Sequence, residues 1–119
     1  MKKILVIDDE TSLRETIAEM LKFFGFIVFE AQNGEEGLKK IKEIQPDLII
    51  CDIMMPILDG YEFMEAHMKT EFSDIPVLLL SAKSEKKDKE KGLNLGARDY
   101  IGKPFEFSEL KKIVNSYLE

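Results

Sequence analysis

The chain holds a single cysteine, Cys51, so it forms no intramolecular disulfide and suits a reducing compartment. No apolar run approaches the length of a transmembrane helix, and Met1-Lys2-Lys3 leads directly into an apolar strand rather than a signal peptide. The expectation is a cytoplasmic protein that engages no membrane. Positive charge is in deficit: 17 Lys and Arg stand against 23 Asp and Glu, a net of −6. That balance argues against autonomous nucleic-acid binding and against an anionic membrane surface. There is no linker, internal repeat, low-complexity segment, Gly-rich phosphate loop or Ser/His/Asp arrangement. What remains is one domain of 119 residues, 45% apolar and 34% charged, long enough for a real core.

The stretch that organises the chain is Leu48-Ile49-Ile50-Cys51-Asp52, an apolar run that ends in a carboxylate. Bounded by Pro46-Asp47 and Pro56, it reads as a strand buried on both faces. Lys3-Ile4-Leu5-Val6-Ile7 has the same character and ends in Asp8-Asp9. Ligands gather at the carboxyl ends of parallel strands, so these endings predict one shared acidic pocket. Three carboxylates there repel by about 4 kcal/mol per pair at ~4 Å and an effective dielectric of ~20. A divalent cation would relieve that repulsion, which makes Asp52 the candidate centre of the chemistry.

Between these strands the pattern alternates. Leu13, Ile17, Met20, Leu21 and Phe24 recur at helical spacing, and Gly25 stops that helix. Phe26-Ile27-Val28-Phe29 is a strand; Asn33 caps a second helix with Glu36 placed as in a capping box, and Leu38, Ile41 and Ile44 face inward. A third helix offers Phe63, Met64 and Met68 to the core. Pro76 to Ser81 is a fourth strand ending in a hydroxyl. Residues 83 to 91 contain nothing apolar, so only Leu93 and Leu95, past Gly92, are available to anchor a fourth helix. Arg98 to Ile101 is a short fifth strand, and Leu110, Ile113, Val114, Tyr117 and Leu118 mark a last helix. The alternation predicts an α/β domain with a parallel sheet covered on both faces. The chain stops where its last helix stops, which fits a stand-alone domain or one taken from a longer protein.

Brought to one edge of the sheet, the strand endings supply Asp8, Asp9, Asp52, Ser81 and Lys103. Carboxylate oxygens suit Mg²⁺, while lysine and hydroxyl donors suit phosphoryl oxygens. A carboxylate is then the candidate nucleophile, since aspartyl phosphate is an established covalent form. On these residues the sequence resembles the receiver domain of two-component response regulators, of the single-domain chemotaxis type. The matching features are Ile7-Asp8-Asp9-Glu10, Asp52-Ile53-Met54-Met55-Pro56 with Asp59-Gly60, Ser81-Ala82, Gly96-Ala97 with Tyr100, and Lys103-Pro104-Phe105. Each is weak alone; together, in order and at the right strand ends, they are specific.

The resemblance covers residues 1–119. It implies a flavodoxin-like, doubly wound sheet of five parallel strands in the order 2-1-3-4-5 with five helices. It implies Asp52 as phosphoacceptor, served by a histidine kinase or phosphotransfer protein. Asp8 and Asp9 would hold Mg²⁺, with Asp9, Asp52 and the backbone carbonyl of Met54 as direct ligands. Ser81 would hydrogen-bond a phosphoryl oxygen, where the family more often has threonine, and Ala82 would leave that group room. Lys103 would pair with Asp52 or the phosphate, with a cis Lys103-Pro104 bond, and Tyr100 would be the aromatic switch. The output would be a changed surface on the fourth helix, fifth strand and fifth helix, offered to a downstream effector protein or domain.

Plainer readings stand beside these. Asp8-Asp9 could be an acidic pair at a helix N-terminus, Ser81 a capping hydroxyl, and Tyr100 a half-buried sheet residue. Cys51 reads as core, His67 as exposed and without function, and Arg14 and the lysines from 83 to 91 as a solvated face. Two other functions compete. A phosphatase or phosphotransferase with an aspartyl-phosphate intermediate would, in the haloacid-dehalogenase type, place a second aspartate where this chain has Met54. A degenerate receiver serving as a scaffold would not need the acidic pair, Asp52 and Lys103 intact.

Overall fold

The computed structural model describes residues 1–82 and 85–118. Strands and helices alternate as β1 (Lys3–Ile7), α1 (Thr11–Phe23), β2 (Ile27–Ala31), α2 (Gly34–Ile44), β3 (Leu48–Asp52), α3 (Gly60–His67), β4 (Val77–Ser81), α4 (Lys86–Asn94), β5 (Asp99–Gly102) and α5 (Phe107–Leu118). All pairings are parallel, and the order is β2-β1-β3-β4-β5. This is the doubly wound arrangement expected from the sequence. β3 and β4 are buried at every position, which is why they read as unbroken apolar runs.

Alternate residues feed two cores. Leu5, Ile7, Ile49, Cys51, Val77 and Leu79 pack with Phe63 and Met64 of α3 on one face. Ile4, Val6, Leu48, Ile50, Leu78 and Leu80 pack with Ile17 and Leu21 of α1 and Leu110 and Val114 of α5 on the other. Each such side chain stabilises the fold by about 1.5–3 kcal/mol on full burial. Gly25, at φ +97°, ends α1 as expected. Asn33 Oδ1 accepts the Glu36 amide at 2.8 Å, so that cap forms, while the Glu36 carboxylate turns to Lys40 at 3.3 Å. A full capping box sits instead at Asp59 and Glu62, whose side chains each accept the other's amide, at 2.8 and 3.0 Å.

Three expectations are corrected. His67 is fully buried rather than exposed: its ring stacks on Phe63 and Nε2 donates to the Ile75 carbonyl at 3.1 Å. The chain after α3 folds back and supplies a hydrogen-bond acceptor that sequence spacing does not reveal. Met68 is 42% exposed and lies over Gly96 rather than in the core. The fourth helix is seated by Gly92, its one buried residue, while Leu93 is 37% exposed and Leu95 packs at the end. The polar run begins at Lys83, which with Ser84 lies outside the described residues.

Candidate functional site

Three carboxylates meet at the carboxyl edge of the sheet. Asp8 follows β1 and Asp52 ends β3, both buried, while Asp9 is exposed; one oxygen from each lies within 4.8 Å of the others. The adjacency follows from the parallel register, which sets Ile7 beside Cys51 so that the next residues of both strands emerge together. Lys103, just past β5, reaches back with Nζ 3.2 Å from Asp52 Oδ1 and 3.9 Å from Asp8 Oδ2. The Lys103 amide donates to the Ser81 carbonyl at 2.7 Å, and the Lys103-Pro104 bond is cis, as expected. Ser81 is buried at the end of β4, opposite Gly102 in register, and Tyr100 is buried on β5.

The loop after β3 is held close by a glycine. A Cβ on Gly60 would stand 2.6 Å from the Ile53 backbone and 2.8 Å from the Asp52 carbonyl, so only glycine lets α3 begin there. The Gly60 amide donates to the Ile53 carbonyl at 2.9 Å. Met54, in the loop so formed, exposes its side chain. Ala82 and Lys103 border a cleft of about 400 Å³ with Leu13, Pro104, Phe105 and Phe107, which leaves the lysine approachable from outside.

The Lys103 ammonium pairs with two of the three carboxylates, Asp8 and Asp52. Burial raises Asp8 from 3.8 to about 6, opposed by its bond from the Glu10 amide and reinforced by the charge of Asp52. Burial also raises Asp52, opposed chiefly by Lys103. Burial, with Asp52 next, pushes the Cys51 thiol well up, so that thiol is an inert core group as read from the sequence. Asp8 Oδ2 is buried and, among the described residues, accepts no hydrogen bond. A hard cation with oxygen ligands fits that orphaned oxygen and the oxygens converging on it. The residues present therefore fit the Mg²⁺ that the acidic triad implies.

Sequence spacing missed Arg14, which is not solvated but 8% exposed. Its Nη1 donates to the Asp8 carbonyl at 2.8 Å and its Nε to Glu30 Oε1 at 3.0 Å. The missed signal was Glu30, an acidic residue inside the β2 pattern.

Residues 4–115 match the family model described as the response regulator receiver domain. The chain is 44% identical over 117 residues to the alkaline phosphatase synthesis transcriptional regulatory protein PhoP of Bacillus subtilis, across 98% of this chain and 48% of that protein. The chain thus spans about half the length of the curated relatives it matches. Among solved structures it is similar to the receiver domain of Francisella response regulator 1452, with TM-score 0.93 and 34% identity over 98% of this chain and 96% of that one. It is also similar to the chemotaxis response regulator CheY4 of Vibrio cholerae, with TM-score 0.91 and 32% identity over 98% of both chains.

Proposed function

We propose, from the premise that this chain belongs to the response regulator receiver domain family, that Asp52 accepts a phosphoryl group and thereby switches a partner-binding surface. A receiver domain is a signalling phosphoacceptor rather than an enzyme acting on a separate substrate, and it implies a histidine kinase as partner. The observation that carries the assignment to Asp52 is its place at the end of a fully buried strand, 3.2 Å from Lys103 and within the acidic triad.

In the proposed reaction a carboxylate oxygen of Asp52 attacks the phosphorus of a phosphohistidine on the kinase or a phosphotransfer protein. The phosphorus–nitrogen bond breaks, and its electron pair returns to the imidazole. Asp9, Asp52 and the Met54 carbonyl would hold Mg²⁺ directly, with Asp8 beside them, and the ion when bound supplies positive charge to the phosphoryl oxygens. Lys103 exchanges its contact with Asp52 for one with the phosphoryl group. The Ser81 hydroxyl donates to another phosphoryl oxygen, and exposed Ala82 leaves it room. Movement of Ser81 is passed to Tyr100 and so to the surface of α4, β5 and α5, which a downstream effector protein or domain reads. Residues 1–119 act as the receiver unit, in the cytoplasm, without contacting nucleic acid directly.

Incubation with acetyl phosphate and Mg²⁺, then intact mass and site mapping, tests the reading. One phosphoryl group should appear on Asp52 in a Mg²⁺-dependent way, and Asp52→Asn should abolish it. Labelling of that variant at the wild-type level on Asp8 or Asp9 would overturn the assignment. Lys103→Ala should still bind Mg²⁺ yet respond weakly to beryllofluoride; a full wild-type spectral change at β5 would remove Lys103 from the switch.

A further inference from the structure

Arginine is almost never buried without partners, and one partner of Arg14 is the backbone of the site itself. Its guanidinium bridges three elements: it stands on α1, binds the Asp8 carbonyl at the end of β1, and pairs with Glu30 on β2. Glu30 is itself held, because Lys40 of α2 donates to its backbone carbonyl and pairs with Glu36 at 3.3 Å. The Asp8 amide donates to the Ala31 carbonyl at 3.1 Å, and Asp8 Oδ1 accepts the Glu10 amide at 2.9 Å. The turn after β1 is therefore fixed at both backbone groups of Asp8 and at one carboxylate oxygen. The oxygen left over, Oδ2, is the one that faces Lys103 and the pocket.

The carbonyl that Arg14 grips belongs to the peptide unit joining Asp8 to Asp9. Fixing that plane fixes the Asp9 Cα and the N–Cα axis about which the Asp9 side chain is set. Asp9 is the exposed member of the triad, so its place within reach of Asp8 and Asp52 depends on the backbone beneath it. A planar, forked guanidinium can serve a carbonyl and a carboxylate at once, and an ammonium cannot reproduce that geometry.

We propose that Arg14, braced by Glu30, is a positioning residue for the divalent-cation site: it orients the Asp8–Asp9 peptide so that the Asp9 carboxylate is presented to the ion. The inference rests on the receiver reading above and deepens it, assigning to a buried cation a role in metal affinity. Groups that orient metal ligands typically change affinity by about 10–100-fold when removed.

The test is the Mg²⁺ dissociation constant, by calorimetric or NMR titration, of unphosphorylated protein well below its unfolding temperature. Arg14→Met should weaken Mg²⁺ binding by about tenfold or more. Glu30→Ala should weaken it less, and Arg14→Lys should recover only part of the loss. Ile41→Val, a core change remote from the turn, controls for destabilisation alone and should bind Mg²⁺ like wild type. If Arg14→Met does not fold, Arg14→Lys and Glu30→Ala carry the test, and wild-type affinity in both overturns the proposal. An equal loss in Ile41→Val also overturns it, since the effect would then be general loosening. Failure of the wild-type protein to bind Mg²⁺ or accept a phosphoryl group sinks the receiver reading instead, so the two failures are distinguishable.

Discussion

Helices α3 and α4 cover the same face of the sheet, but they are held by different means. α3 has a reciprocal cap and buries Gly60, Tyr61, Phe63, Met64 and His67 among its eight residues. α4 has nine residues, no side-chain cap, and only Gly92 buried. The first is locked to the core and to the backbone beside Asp52; the second rests on Leu79 and Tyr100 through a glycine. Packing supplies most of a helix's stability, so α4 is expected to open more readily than α3.

The two glycines give the sharpest contrast. At Gly60 a methyl group would meet backbone that cannot move aside, whereas at Gly92 it would meet the Leu79 side chain at 2.9 Å and the Tyr100 ring at 3.2 Å. Gly60→Ala should destabilise the domain by about 2–3 kcal/mol, as overpacking does. Gly92→Ala should stay within about 1 kcal/mol of wild type, because better helix propensity offsets a small shift of two side chains. Denaturant midpoints decide it. Equal losses at both would mean that α4 is seated as rigidly as α3.

Amide hydrogen exchange on the unmodified protein measures the same contrast without mutation. Residues 86 to 94 should exchange at least ~10-fold sooner than Gly60–His67 or Phe107–Leu118, an opening difference of about 1.4 kcal/mol or more. The Lys86–Glu90 pair at 3.9 Å is exposed and contributes little to holding α4. Equal protection in α4 and α5 would mean that α4 is held as firmly as α5 despite its single buried residue.

What the sequence revealed of these two helices, and what it hid, has a physical pattern. The polar run showed that α4 lacks an apolar stripe, and the apolar strands placed Asp8, Asp52 and Ser81 at one edge. Both are local signals, carried by neighbouring residues. His67 and Arg14 were misread because their burial depends on partners from other segments, the Ile75 carbonyl and Glu30. Gly92 gave no sign of its seat on the sheet, since nothing in its neighbours shows that a ring and a leucine lie against it. The Asp59/Glu62 box is written in the chain as Asp-x-x-Glu, a local signal like the apolar strands.

His67 makes the contrast depend on pH. Burial holds its imidazole below the usual 6.5, so the unfolded chain accepts a proton that the folded state resists. Its contribution to stability is whole above about 6.5 and is lost as pH falls below that value. Asp8 acts in the opposite sense. Raised from 3.8 to about 6, it is destabilised as a carboxylate, so its contribution is fully present below 3.8 and lost as pH rises through about 6. The pocket thus relaxes on acidification while the end of α3 is strained. Between about pH 7 and pH 5, the protection of α3 relative to α4, corrected for intrinsic exchange, should fall. His67→Gln, which can still donate to Ile75 but does not titrate, should abolish that fall. A ratio constant with pH in the wild type would show that the openings of α3 do not release His67 to accept a proton.

The smallest effect is expected where the two helices touch. Tyr61, in the first turn of α3, donates from its hydroxyl to the Asp88 carbonyl of α4 at 3.2 Å. The Lys91 ammonium lies 4.3 Å from the centre of its ring. The same hydroxyl is hydrogen-bonded with Tyr100, and burial, with that bond second, pushes Tyr61 up to about 12. One side chain of α3 therefore contacts both α4 and Tyr100. Tyr61→Phe keeps the ring and the cation above it, a contact worth about 0.5–1 kcal/mol at such a site. It removes the hydrogen bonds, at a net cost of about 0.5–1.5 kcal/mol. Because α3 keeps its cap and its apolar contacts, that loss should fall on α4 alone. Amides of α4 should exchange about 2- to 10-fold faster in the variant, with those of α3 unchanged, and the β5 response to beryllofluoride should be reached at a lower concentration. Equal acceleration in both helices would mean that Tyr61 supports α3 rather than tethering α4 to it. An unchanged α4 would leave Gly92 and Leu95 as the contacts that set how readily α4 moves.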